Sequence, residues 1–153
     1  MILRKHWQSL IKSTRPSGSE RTHVLNTEVP RQVVLVVDDA PENIQVLSAI
    51  LKPCYKVKAA TSGERALKIA RSDKPPDLIL LDIMMPEMDG YEVCRQLKAD
   101  DHTKAIPVIF VTGMSDAAEQ QKGLALGAAA CLTKPVNPDE VLDLSRKVIE
   151  GNA

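Results

Sequence analysis

The stretch LILLDIMMPEMDG at residues 78–90 carries the clearest indication of the fold. Four apolar residues precede Asp82, and a short apolar run bounded by turn residues is typical of a strand that is buried on both faces. The Asp89-Gly90 pair that closes the stretch favours a turn over any chemical role. The pattern predicts a strand at residues 77–81 with a carboxylate at its carboxyl end.

Apolar runs and helical patterns alternate along the rest of the chain, from residue 33 onward. Alternating strands and helices indicate a parallel sheet with helices on both faces, and right-handed crossovers make such a fold doubly wound. The predicted strands are 33–37, 56–59, 77–81, 106–111 and 129–132. The predicted helices begin at Pro41 (apolar stripe Ile44, Leu47 and Leu51), cover 64–71, 91–98 and 116–126, and begin again at Pro138 after an Asn137 cap.

Composition narrows the functional classes. The formal net charge of the 153 residues is zero, which favours neither a nucleic-acid nor a membrane protein. Cys54, Cys94 and Cys131 are odd in number and lack a C-x-x-C spacing, so neither a disulfide framework nor a zinc site is favoured, and reduced thiols in a cytoplasmic protein are expected. No apolar run reaches the length of a membrane span.

Residues 1–30 differ in charge from the rest, with five Lys/Arg against two Asp/Glu. Leu3, Trp7, Leu10 and Ile11 share one helical face, and P-S-G-S-E at 16–20 resembles a flexible linker. This extension is either a tail without fixed structure or a basic amphipathic helix that docks on a partner; a membrane contact has weaker support.

Charged and hydroxyl side chains follow four of the five predicted strands: Asp38 and Asp39, Asp82, Thr112, and Lys134 before Pro135. Carboxyl ends of parallel strands lie at one edge of a sheet, and ligand sites of doubly wound folds lie there. One lysine cannot neutralise three adjoining carboxylates, whereas a divalent cation such as Mg²⁺ can. An aspartate can also act as a nucleophile towards phosphorus. Taken singly, Asp38 and Asp39 favour helix capping before Pro41, but the combination favours a phosphoryl-transfer site.

These residues resemble the receiver domain of bacterial two-component response regulators. The motifs that carry the resemblance are V-V-D-D (36–39), L-L-D-I-M-M-P-E-M-D-G (80–90), V-T-G (111–113) and L-T-K-P (132–135), within residues 32–150. It implies a flavodoxin-like fold with strand order 2-1-3-4-5, in a receiver domain at 31–153.

The resemblance also implies a role for each residue at the edge. Asp82 would accept a phosphoryl group from a histidine kinase or phosphotransfer protein, with Mg²⁺ (or Mn²⁺) held by Asp39, Asp82 and the Met84 carbonyl, and by Asp38 through water. Lys134 would contact the phosphoryl group, Thr112 would move towards it, and the Lys134–Pro135 bond would be cis. The chain would catalyse only its own phosphorylation and dephosphorylation. Residues 116–150 would form a dimer face or contact an output domain.

Cys131 departs from the family, which usually has an aromatic residue there whose ring turns inward on activation. The Thr112 half of the switch is expected to survive and the ring-rotation half is not; Cys131 is either a small core residue or a redox sensor. Met84 and Met114, near Asp82 and Thr112, offer no polar guide to a hydrolytic water, which predicts slow self-dephosphorylation.

Three other functions compete with the receiver. A free-standing phosphatase needs a second acid two residues after its nucleophile, where this chain has Met84. A dinucleotide-binding domain needs G-x-G-x-x-G after the first strand, where D-D-A-P-E-N stands. A phosphorylation-independent docking scaffold with the receiver fold stays open because of Cys131. Whether the chain acts alone or is part of a longer regulator also stays open.

Overall fold

The described residues form five parallel strands, each followed by a helix, and Val, Ile and Leu dominate the three central strands. The computed structural model describes residues 31–113 and 117–151. The predicted helix and linker within residues 1–30, Met114 and the predicted helix start at Asp116 lie outside these residues. The strands are β1 (Val33–Val37), β2 (Lys56–Ala60), β3 (Leu78–Asp82), β4 (Val108–Thr112) and β5 (Ala130–Thr133). The helices are α1 (Pro41–Leu51), α2 (Gly63–Ala70), α3 (Gly90–Ala99), α4 (Ala117–Ala125) and α5 (Pro138–Ile149).

The sheet order is β2-β1-β3-β4-β5, which confirms the predicted doubly wound topology. The register brings the carboxyl ends of the central strands to one level. Val37 pairs with Leu81, so Asp38 and Asp82 come next on neighbouring strands. Thr112 and Thr133 pair at the ends of β4 and β5, directly before Lys134.

Two apolar clusters sandwich the sheet because alternate strand residues point to opposite faces. Leu35, Ile79 and Phe110 lie in the cluster that includes side chains of α2 and α3. Val36 and Leu80 lie in the other, with side chains of α1 and α5. The central strands β1, β3 and β4 therefore appear in the sequence as continuous apolar runs rather than alternating ones. None of the described helices is long and apolar enough to cross a bilayer.

Helix starts correct two predictions. The residue before α1 is Ala40, which makes no side-chain capping bond, so the capping role considered for Asp38 and Asp39 is wrong. Asp89 does not form a free-standing turn with Gly90: it is the N-cap of α3, and its carboxylate accepts a hydrogen bond from the Glu92 N–H at 2.9 Å. The Asn137 cap is confirmed, with its side-chain oxygen 3.1 Å from the Glu140 nitrogen.

β1 has the predicted bounds, and the bounds of the other four strands differ from the predicted ones by at most two residues. Asp82 and Thr112 are the last residues of β3 and β4 rather than the residues that follow them. The prediction followed apolar runs, whereas ladder hydrogen bonds decide where a strand begins and ends. β4 also begins after Pro107, which has no N–H to donate to the ladder.

Candidate functional site

Three carboxylates meet at the carboxyl edge of the sheet. Asp38 and Asp82 are buried and Asp39 is exposed, and one oxygen of each lies within 4.8 Å of the others. β1 and β3 are adjacent in the sheet, so Asp38 and Asp82 lie side by side at the ends of neighbouring strands. Such a cluster of oxygen donors, partly open to solvent, fits the ligands that a hard divalent cation prefers.

Lys134 connects two of these acids. Its ammonium nitrogen lies 2.9 Å from Asp38 Oδ2 and 3.2 Å from Asp82 Oδ1. The backbone reinforces this placement, because the Lys134 N–H donates to the Thr112 carbonyl at 2.7 Å. One lysine against three aspartates leaves a net negative charge in the cluster.

The electrostatics of Asp82 and Lys134 reflect this crowding. Burial is the largest cause that raises the pKa of Asp82, and the neighbouring Asp38 charge raises it further against the lowering effect of Lys134. Burial alone would lower the pKa of Lys134, but its hydrogen bond to Asp38 and the charges of both acids outweigh burial and raise it. These effects favour the charged form of Lys134 and the neutral form of Asp82.

Thr112 and Pro135 complete the edge. Thr112 is buried at the end of β4, next to β3 in the sheet. The peptide bond between Lys134 and Pro135 is cis. The structure thus brings the carboxylates of Asp38, Asp39 and Asp82 together with the Lys134 ammonium, and it places Thr112 at the end of the strand next to β3.

Gly90 lies against the backbone of Asp82, a contact that the sequence analysis missed. A Cβ on Gly90 would lie 2.3 Å from the Asp82 carbonyl oxygen, and the Gly90 N–H donates to the Ile83 carbonyl at 2.8 Å. Helix α3 therefore starts directly behind the strand end that carries Asp82. A D-x-x-E pattern at Asp89–Glu92 resembles a capping box and could have signalled this helix start.

Met84 and Cys131 flank the site without joining the carboxylates. The Met84 side chain is 67% exposed on the loop after β3. Cys131 is half-buried on β5 rather than fully buried, and its thiol lies 3.8 Å from the Gln120 carbonyl. Burial raises the pKa of the Cys131 thiol, which opposes the low-pKa thiolate that a redox sensor needs.

A groove of about 400 Å³ opens beside Lys134. It lies between α1 and the segment that follows β5, and its lining is mostly apolar. Val46, which is 53% exposed, is part of this lining. The sequence does not reveal this groove because its walls come from segments far apart in the chain: Asn43, Val46, Leu47, Val111, Lys134, Pro135 and Val136.

Comparison with known proteins agrees with this geometry. The family model described as "Response regulator receiver domain" matches residues 34–146. A protein of Vibrio cholerae named "Probable cyclic di-GMP phosphodiesterase" is 47% identical over 115 residues, which are 75% of this chain and 26% of that protein. The protein PilH of Pseudomonas aeruginosa is 39% identical over 119 residues, which are 77% of this chain and 98% of PilH.

Among solved structures, the chemotaxis response regulator CheY4 of Vibrio cholerae aligns with a TM-score of 0.72 and 32% identity, over 77% of this chain and 98% of CheY4. The chain thus matches PilH and CheY4 over nearly their whole lengths and spans about a quarter of the Vibrio cholerae phosphodiesterase homologue. By its matched sequence, strand order and carboxylate edge, the chain belongs to the family of response regulator receiver domains.

Proposed function

We propose that this chain is a phosphorylation-controlled switch in which Asp82 accepts a phosphoryl group from a histidine kinase or phosphotransfer protein. The observation that carries the proposal is the buried Asp82 carboxylate, 3.2 Å from the Lys134 ammonium and close to two further acids. Receiver-family membership supplies the reaction type.

The reaction transfers one group and changes no oxidation state. A carboxylate oxygen of Asp82 forms a bond to phosphorus as the bond from phosphorus to the donor histidine nitrogen breaks. The nitrogen keeps the electron pair and takes a proton from solvent. Little covalent chemistry is left to the protein, so its task is to position groups and stabilise charge.

Mg²⁺ or Mn²⁺ is the cofactor that the donor set fits. Asp39 and Asp82 would bind it directly, with the Met84 carbonyl as a third ligand and Asp38 acting through water. Such a cation neutralises charge on the transferring oxygens. Lys134 moves from carboxylate to phosphoryl oxygen with its charge unchanged, and Thr112 donates a hydrogen bond to a second oxygen.

The donor reaches Asp82 across the edge that also opens into the groove beside Lys134. The exposed Val46 side chain offers an apolar contact in the groove that Lys134 also lines, and this mixture of apolar and charged surface suits a protein donor better than a small phosphate ester. The chain would have no catalytic activity beyond its own phosphorylation and dephosphorylation.

The output is a change of protein contacts, through a face within residues 116–150 that forms a homodimer or meets an output domain. Residues 31–153 act as the receiver, and residues 1–30 form a separate extension. We place the protein in the cytoplasm, without direct contact to nucleic acid or membrane. A second candidate function is a docking scaffold that works without phosphorylation, which the substitution of Cys131 for an aromatic residue favours.

Intact-mass spectrometry after incubation with acetyl phosphate tests the proposal. With Mg²⁺, the protein should gain one phosphoryl group, whereas Asp82→Asn or the addition of a chelator should abolish the adduct. A folded protein that stays unmodified with Mg²⁺ would reject the phosphoacceptor function and leave the scaffold. An adduct that persists in Asp82→Asn would place the acceptor elsewhere.

A further inference from the structure

One tyrosine connects two neighbouring helices beside the site. Tyr91 is the second residue of α3, and its hydroxyl donates a hydrogen bond to the Glu119 carboxylate on α4. The Tyr91 hydroxyl oxygen also lies 3.3 Å from the Glu119 backbone carbonyl oxygen. The Lys122 ammonium stands 4.4 Å from the centre of the Tyr91 ring. A single side chain of α3 therefore holds two charged residues on one face of α4.

The same ring rests on the sheet. Tyr91 packs edge-to-face on Phe110, with ring centroids 5.6 Å apart at 66°. Phe110 is fully buried on β4, and α4 sits directly over it: a Cβ on Gly123 would lie 2.7 Å from the Phe110 ring. The aromatic volume beneath α4 thus comes from β4 and α3.

Cys131 explains why this arrangement fits. It pairs with Phe110 across β4 and β5, and its thiol reaches the Gln120 carbonyl under α4. A large ring at Cys131 would compete with Phe110 for the space below Gly123, since Cys131 Sγ already lies 3.6 Å from a Cβ built there. The small Cys131 side chain on β5 therefore leaves the space beneath α4 to the rings of Phe110 on β4 and Tyr91 on α3.

The Tyr91 contacts occur together with a hydrogen bond from the Lys134 ammonium to the Asp82 carboxylate, the group that a phosphoryl group would modify. Phe110 and Thr112 are two residues apart on β4, so both point to the same face of the sheet. A shift of Thr112 towards a bound phosphoryl group would therefore displace Phe110, and Phe110 would in turn displace Tyr91 and α4.

We propose that Tyr91 is a latch that holds α4 in the unmodified arrangement, so that the rings of Tyr91 and Phe110 take over the coupling that an aromatic residue on β5 would provide. The inference rests on the proposed phosphoacceptor function and names its regulation. A latch specific to one state shifts the equilibrium between states by its differential contribution. Its loss must therefore tighten binding of any ligand that selects the activated state.

The test is the affinity for beryllium fluoride, a phosphoryl mimic, measured by titration calorimetry with saturating Mg²⁺. Tyr91→Phe removes the hydroxyl and keeps the ring, and its affinity should rise about tenfold, the effect expected of one hydrogen bond to a charged group. Tyr55→Phe is the matched control, because it loses the same hydroxyl in the cluster on the opposite face of the sheet. Its affinity should equal that of the wild type.

A second variant guards against a folding defect in Tyr91→Phe. Glu119→Ala removes the acceptor from a helical position that tolerates alanine, and it should raise the affinity in the same direction. The double variant should bind beryllium fluoride about as tightly as either single variant, since both substitutions remove the same hydrogen bond between the Tyr91 hydroxyl and the Glu119 carboxylate. Amide hydrogen exchange in α4 should be faster in all three variants.

The outcomes separate the two proposals. If the wild type binds the mimic and Tyr91→Phe and Glu119→Ala bind it equally well or more weakly, the latch is rejected and the phosphoacceptor function stands. If the folded wild type fails to bind the mimic, the phosphoacceptor function fails, and the latch fails with it because there is no second state to oppose.

Discussion

Replacing Gly90 by alanine should damage both stability and phosphorylation, because Gly90 lies against the backbone of the phosphoacceptor. The new Cβ would lie 2.3 Å from the Asp82 carbonyl oxygen and 2.9 Å from the Ile83 Cα, whereas ordinary contacts begin at 3.4 Å. Both obstacles are backbone atoms, so no side-chain rotation relieves the overlap. Either α3 or the end of β3 must move by about 1 Å.

The magnitude follows from two opposing effects. Overpacking of this kind costs about 1–3 kcal/mol, and an overlap with backbone belongs to the upper half of that range. Alanine in place of glycine returns about 0.4–1 kcal/mol by restricting the unfolded chain. The free energy of unfolding should therefore fall by roughly 1–2.6 kcal/mol. A displacement of about 1 Å at a reacting group costs on the order of 100-fold in rate, so phosphorylation should slow by about 10- to 100-fold.

Urea unfolding and the rate of modification by acetyl phosphate measure the two effects separately. Gly113→Ala is the stability control, since a Cβ there meets nothing within 4 Å. The unfolding midpoint of Gly90→Ala should fall at constant slope, and that of Gly113→Ala should not fall. A Gly90→Ala protein with the stability and the phosphorylation rate of the wild type would refute the claim that this close approach positions Asp82.

Three further predictions concern the acidic cluster. Lys134→Met leaves the Asp38 and Asp82 side chains, which are 2% and 6% exposed, without their ammonium partner. In urea unfolding with a chelator, the free energy of unfolding should fall by about 1–3 kcal/mol, and added Mg²⁺ should reduce this loss. An unchanged unfolding midpoint would contradict this role of Lys134. The folded-state pKa of Asp82 is raised above 3.8, so its protonation contributes stability that is lost as pH rises through the raised value. Without divalent cations, Asp82→Asn should therefore be more stable than the wild type near neutral pH and not below pH 3.8, and equal stability at both would count against the pKa argument. The phosphorylated protein should lose its phosphoryl group slowly, because the Met84 side chain cannot hydrogen-bond a hydrolytic water. Met84→Asn should shorten the lifetime of the phosphorylated protein, measured by intact mass. A wild-type lifetime of seconds with Mg²⁺ would exclude this explanation.

The fold was predictable from the sequence because it depends on patterns that are local. Continuous apolar runs such as Val33–Val37 indicate strands buried on both faces, and periodic helices between them require parallel strands with crossovers. The five polar side chains at the site could be named for the same reason: each stands at or directly after the carboxyl end of a strand, and parallel strands end together. Capping was harder to predict, since Asp38, three residues before Pro41, resembles a capping acid, whereas the structure shows that Lys134 binds it.

Contacts between residues far apart in the chain could not be predicted from the sequence. Gly90 is one of seven glycines, and only the tertiary structure shows that its hydrogen faces the Asp82 carbonyl. Tyr91 has no local signal either, because its partners Glu119 and Phe110 lie on other elements.

Local patterns predict the order of strands and helices along the chain and the set of groups at the acidic edge, because these follow from periodicity and chain direction. The packing of the domain sets which oxygens Lys134 contacts, which ring supports α4, and how closely α3 approaches Asp82. Those choices depend on distances between segments far apart in the chain, and such distances are set by packing around the sheet rather than by any local preference.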